Sequence, residues 1–110
     1  MNNDEVVNTT SKYIVKTTGI KSETNQELVD ANKLIEGTDG SLVSLIECYY
    51  LIEGTGTLTI SAGDETLTLT GKGKYGLRPE QLKFGNDKIF KLTTDANVKS
   101  YLLVTEFRRN

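Results

Sequence analysis

A chain of 110 residues has the length of one ordinary domain, large enough to bury a single hydrophobic core without disulfides or a metal. Its thirteen Lys and Arg are scattered along the chain and the net charge is -2, which excludes the phosphate-tracking stripe of a nucleic-acid binder. Histidine is absent, which removes Ser-His-Asp and Cys-His nucleophiles, the zinc helix motif and the histidine-based metal sites of enzymatic cupins.

Residues 1–12 are polar and hold little to bury, so they are expected to form an arm, flexible or extended against a neighbour, ahead of a β-sandwich domain over residues 13–110. The start Met1-Asn2-Asn3-Asp4-Glu5 leads into no apolar run, so no secretory signal is expected, and synthesis in the cytoplasm is. Lys12-Tyr13-Ile14-Val15-Lys16-Thr17 is β-branched and aromatic and stops at Gly19, the pattern of a strand. Residues 26–36 satisfy two patterns. Thr24 with Glu27 fits a capping box, Leu28, Ala31 and Ile35 fall at helical spacing, and Gly37 is a helix stop. As a strand, the same segment puts Val29 and Ala31 on one face and Leu28, Asp30 and Asn32 on the other.

After the turn signal Asp39-Gly40 comes the longest apolar run, Leu42 to Ile52, which Ser44 and Glu47 make too short and too polar to cross a bilayer. Period two sets Leu42, Ile46, Cys48, Tyr50 and Ile52 on one face and Val43, Leu45, Tyr49 and Leu51 on the other. A strand apolar on both faces is either central or offers its second face to another subunit. The lone Cys48 inside it reads as a small buried side chain.

Gly54-Thr55-Gly56 ends this strand, and the clearest pattern in the chain follows. Leu58 and Ile60 alternate with Thr57, Thr59 and Ser61, Ala62-Gly63-Asp64 turns, and Leu67 and Leu69 alternate with Thr66, Thr68 and Thr70. This predicts a hairpin whose leucine and isoleucine side chains are buried together. Gly71-Lys72-Gly73 predicts a kink before a short strand at Tyr75 to Leu77, and Arg78-Pro79 predicts a loop or edge. Gly85-Asn86-Asp87 predicts a turn into the strand Lys88 to Thr94, and Asp95-Ala96-Asn97 a turn into a last strand from Val98 to Phe107. Short runs punctuated every eight to twelve positions or so define the class: all-β, a single-domain antiparallel β-sandwich of jelly-roll-like type.

Few residues are candidates for chemistry. Glu47, Glu53 and Glu106 lie in or beside apolar strands, as a glycosidase pair requires, but glutamates in such places are more often solvated or met by a lysine. Asp39, Asp64, Asp87 and Asp95 occupy turns, where Asp bonds its own backbone, and calcium would need several to converge. Gly71-Lys72-Gly73 lacks the Ser or Thr and the helix of a phosphate loop. Tyr49 and Tyr101 suit either a sugar platform or ordinary packing. No catalytic, cofactor or metal residue is expected, and chelator is expected to leave the melting temperature unchanged.

The order of these segments resembles small virion structural proteins of tailed bacteriophages, the type that decorate or cement a capsid. It runs from Lys12-Tyr13-Ile14-Val15-Lys16 through Leu28-Val29-Asp30-Ala31 with Leu34 to Leu45-Ile46-Glu47-Cys48-Tyr49-Tyr50. It continues through Leu67-Thr68-Leu69-Thr70-Gly71-Lys72-Gly73, Arg78-Pro79 and Ile89-Phe90-Lys91-Leu92-Thr93-Thr94 to Tyr101-Leu102-Leu103-Val104-Thr105-Glu106. The tryptophan that such proteins often carry in the middle strands is missing. The resemblance implies an extended conformation for residues 26–36, so strand is assigned there. It also implies a non-enzymatic sandwich present in many copies on the virion, self-associating or touching the major capsid protein or other virion proteins. Contact is expected through Tyr49 and Leu51, the arm, and Arg108 and Arg109. A tail or neck component is one alternative. A metal-free cupin-like barrel binding a small ligand or carbohydrate is the other.

Overall fold

The computed structural model describes residues 2–8, 12–20, 24, 26–30, 42–76 and 84–109. Ten strands are described: β1 (Asn2–Asn8), β2 (Lys12–Gly19), β3 (Gln26–Asp30), β4 (Val43–Gly54), β5 (Leu58–Ala62), β6 (Glu65–Leu69), β7 (Lys72–Tyr75), β8 (Phe84–Asp87), β9 (Ile89–Thr94) and β10 (Val98–Arg109). They form two antiparallel sheets. One has the order β1-β2-β10-β4-β7, with β8 also pairing β4, and the other has the order β3-β9-β5-β6. The protein is therefore all-β, two sheets packed face to face, as the recurrence of short β-branched runs predicts.

The predicted hairpin is present. A two-residue loop, Gly63-Asp64, joins β5 and β6 in the register Leu58↔Leu69 and Ile60↔Leu67, with Gly63 at a φ of 60° that favours glycine. Leu58, Ile60 and Leu69 are buried, and Leu67 packs on the core from its rim. Opposite them β10 turns Tyr101, Leu103, Thr105 and Phe107 inward. Phe90 of β9 meets Phe107 edge to face at 4.9 Å between centroids and Phe84 of β8 at 6.0 Å, so one aromatic cluster ties the sheets together.

The long strand departs from strict period two. Glu106 pairs with Glu47 while Phe107 pairs with Leu45, so Ile46 is an extra residue, a β-bulge that switches the faces of β4. Below it Val43 and Leu45 are buried, and above it Cys48 and Ile52 are, with Tyr49 and Leu51 outside. The period-two assignment of Val43 and Leu45 to the outer face is thus corrected. Gly76, at a φ of 84°, packs so close to the bulge that a Cβ there would meet the Ile46 carbonyl. A second bulge lies in β3, between Glu27 and Val29, and turns both Leu28 and Val29 inward. Gln26–Asp30 is strand; residues 31–36 lie outside the described residues, as do Leu77, Arg78, Pro79 and Asp39.

Two turn predictions are corrected. The kink lies at Gly71, with β7 already starting at Lys72, and Gly85 and Asp87 belong to β8 rather than to a turn. Gly85 is required by space, since a Cβ there would stand 2.9 Å from the Phe90 ring.

The polar N-terminal residues form β1, an edge strand paired with β2. Asn3 clasps the sheets: its Oδ1 accepts from the Thr17 hydroxyl at 2.7 Å, and its Nδ2 donates to the Glu27 carbonyl of β3 at 3.4 Å. Thr17 is wholly buried. Asn3→Ala is accordingly expected to lower stability by about 1–3 kcal/mol, because a buried hydroxyl loses its acceptor. Urea denaturation of the variant beside the parent measures it; coincident midpoints would show that the clasp contributes nothing.

Candidate functional site

Among the described residues, the large hydrophobics on the surface include Tyr49, 50% exposed, and Leu51, 43% exposed, neighbours on the outer face of β4. β10 sets Val104 opposite Tyr49 and Leu102 opposite Leu51, both half-buried, so the two central strands carry a block of four apolar side chains facing water. The flanking strands are polar at the same rungs, with Lys16 and Thr18 of β2 on one side and Lys74 and Lys72 of β7 on the other. An apolar centre inside a polar rim is the anatomy of a protein contact surface.

The edge of the block is held in place. Lys74 Nζ donates to Glu47 Oε1 at 2.8 Å and stands 4.3 Å from the centroid of the Tyr49 ring. The hydrogen bond to Glu47, with a further contribution from Tyr49, raises the Lys74 pKa and keeps it cationic. Between Tyr49, Tyr50, Leu51, Gly73, Leu102 and Val104 lies an open hollow of about 150 Å³. That is below the ~300–1,000 Å³ of small-molecule sites and suits a single side chain. Gly73 leaves it open, since a Cβ there would stand 2.8 Å from the Tyr50 hydroxyl.

The predicted contact residues fall as follows. Tyr49 and Leu51 form the exposed half of the block. Arg108 is exposed farther along β10, its Nε donating to Glu106 Oε2 at 2.8 Å. Of Arg109 only the backbone is described, paired with Val43. Leu102 and Val104 complete the surface and were not singled out in the sequence, although their alternation with Tyr101 and Leu103 carries the signal. Tyr101 is buried, away from this face, so the two tyrosines do not share a platform.

Four of the other candidate acids, Glu47, Glu106, Asp95 and Asp87, have partners. Glu47 and Glu106 are cross-strand neighbours, each ion-paired with its own cation. Asp95 accepts from the Thr57 and Asn97 amides, each at 2.9 Å, which with the Thr57 hydroxyl holds its carboxyl below the usual range. Asp87 accepts from the Lys88 amide at 2.7 Å, beside a second open hollow lined by Ser61, Gly63, Ile89 and Lys91. Among the described residues no three acidic or cysteine side chains gather as metal ligands. Cys48 is buried, and burial pushes its thiol up to about 12. No family model, curated protein or solved structure matches the chain.

Proposed function

We propose that this domain is a non-catalytic assembly protein that attaches to a larger particle through the outer face of its six-stranded sheet. The observation that carries this reading is the block of Tyr49, Leu51, Leu102 and Val104, which folding leaves facing water on the two central strands. Apolar surface of that kind, rimmed by charge, marks an interaction site. The particle we propose is the virion of a tailed bacteriophage, with the domain as a capsid decoration or cement protein, or else a tail or neck component. The order of sequence segments is the support for that assignment.

The finer architecture we propose is a jelly roll. Facing sheets with the orders β1-β2-β10-β4-β7, β8 also pairing β4, and β3-β9-β5-β6, with successive strands crossing from one sheet to the other except at β1–β2, β5–β6 and β7–β8, support it. Cupins share this architecture, which keeps a metal-free cupin-like binder as the second reading. A small sugar or other ligand raising the melting temperature of a monomer would favour the binder.

Co-sedimentation with purified capsids tests the main reading. The parent protein is expected to pellet with particles and Tyr49→Asp to stay in the supernatant with unchanged circular dichroism, because a charge then replaces an apolar contact. Equal pelleting of a folded Tyr49→Asp variant would assign the block another role.

A further inference from the structure

An exposed strand edge is a template for another chain unless something guards it. Three sides of the two sheets are guarded. β1 has a bulge at Val6 beside Asp4 and Glu5, β3 has a bulge at Leu28, and β7 carries Lys72 and Lys74. β6 has none of these devices. It pairs with β5 through five consecutive residues without a register shift, contains neither Lys nor Pro, and after Glu65 consists of Thr and Leu alone.

The direction of its free backbone groups follows from the hairpin. A two-residue loop makes Ala62 and Glu65 the first hydrogen-bonded pair, so bonded pairs recur at Leu67 and Leu69. The N–H and C=O groups of Thr66 and Thr68 then point away from β5, and no strand among the described residues pairs with them. Both threonines are exposed.

We propose that a second copy of this chain pairs antiparallel along β6, joining the two four-stranded sheets into one about a two-fold axis at Thr68. The sequence Thr66-Leu67-Thr68-Leu69-Thr70 reads the same in both directions about Thr68. Antiparallel pairing centred there sets Thr68 against the partner's Thr68, in the position where both have outward backbone groups to exchange. Leu67 meets the partner's Leu69 on the core side, and Thr66 meets the partner's Thr70 outside, like with like on each face. A slip of one residue would oppose threonine to leucine and cross the faces, and a register centred on Leu67 would set Glu65 against leucine. Leu67, only partly buried at the rim of the core, is covered in the process. A foreign extended segment would satisfy the backbone but lacks the palindrome, which is the reason for committing to a second copy.

Sedimentation equilibrium of the full chain, up to millimolar concentration, tests this with Thr68→Pro and Thr68→Lys. Proline at that position removes an N–H that the hairpin does not use, and lysine adds an edge charge on the outer face, so both variants keep the monomer fold. The parent is expected to sediment as a dimer. Thr68→Lys should weaken the dimer by roughly ten-fold or more, and Thr68→Pro should be monomeric with unchanged circular dichroism. A parent monomeric throughout, or a dimer equally strong in Thr68→Lys, would overturn the proposal; should proline unfold the hairpin, lysine decides. Tyr49→Asp lies on the other sheet and should leave the dimer intact, which separates this result from particle attachment.

Discussion

Phe90→Ala is expected to lower the unfolding free energy by about 3–5 kcal/mol, the range for emptying a fully buried aromatic site. The ring is wholly buried at the meeting of the two sheets, edge to face with Phe107 of the opposite sheet and with Phe84 of β8. Two features prevent collapse into the cavity. Gly85 offers no side chain to move in, and its φ of 73° disfavours any other residue there. Phe107 is fixed between β2 and β4 by backbone pairing on both sides. A domain of this size has about 5–15 kcal/mol in total, so the loss is a large share. Guanidinium unfolding of Phe90→Ala beside Phe90→Leu measures it, leucine being the milder change. A loss below about 1 kcal/mol for alanine would mean that the cluster does not hold the sheets.

The sequence carried the parts of the fold that local alternation controls. Leu58, Ile60, Leu67 and Leu69 announce a hairpin because each strand there is half-buried and regular, with the glycine its loop requires. Where a strand breaks its own period, the pattern misleads. Nothing in Leu45-Ile46-Glu47 marks Ile46 as an extra residue, since the bulge is set by how β10 and Gly76 approach it across long separations. The same holds for β1, which has little apolar content to advertise burial; its anchorage is the Asn3 amide, legible only once Thr17 and Glu27 stand beside it. Gly85-Asn86-Asp87 has turn composition, yet Gly85 serves the space needed by Phe90. Of the candidate contact surface, Tyr49 and Leu51 were legible from the doubly apolar run. Leu102 and Val104 emerge only from the register of β10 against β4.

Stability is expected to fall steeply above pH 9, and Cys48→Ala is expected to remove the first part of that fall. The Cys48 thiol is pushed from an ordinary value of 9.0 up to about 12 by burial in the core, where its S–H faces the Tyr49 carbonyl at 3.7 Å. A group whose folded pKa lies above its unfolded one contributes stability that is fully present below the unfolded value and lost as pH rises towards the folded one. The window for Cys48 is therefore pH 9 to 12. The slope is about 1.4 kcal/mol per pH unit, on the order of 4 kcal/mol across the whole window. Tyr13, raised by burial and then by Glu5, and Tyr75, raised by burial and then by Glu65, act in the same direction above their ordinary value of 10.0. Between pH 8 and 10 the thiol is the first of these groups to act, so the parent should lose more stability there than Cys48→Ala does, and both should decline at higher pH. Thiol reagents report on the same burial: native protein should resist them at neutral pH and react once denatured. Parallel stability curves for the parent and Cys48→Ala between pH 8 and 10, or rapid labelling of the native thiol, would place Cys48 outside the closed core.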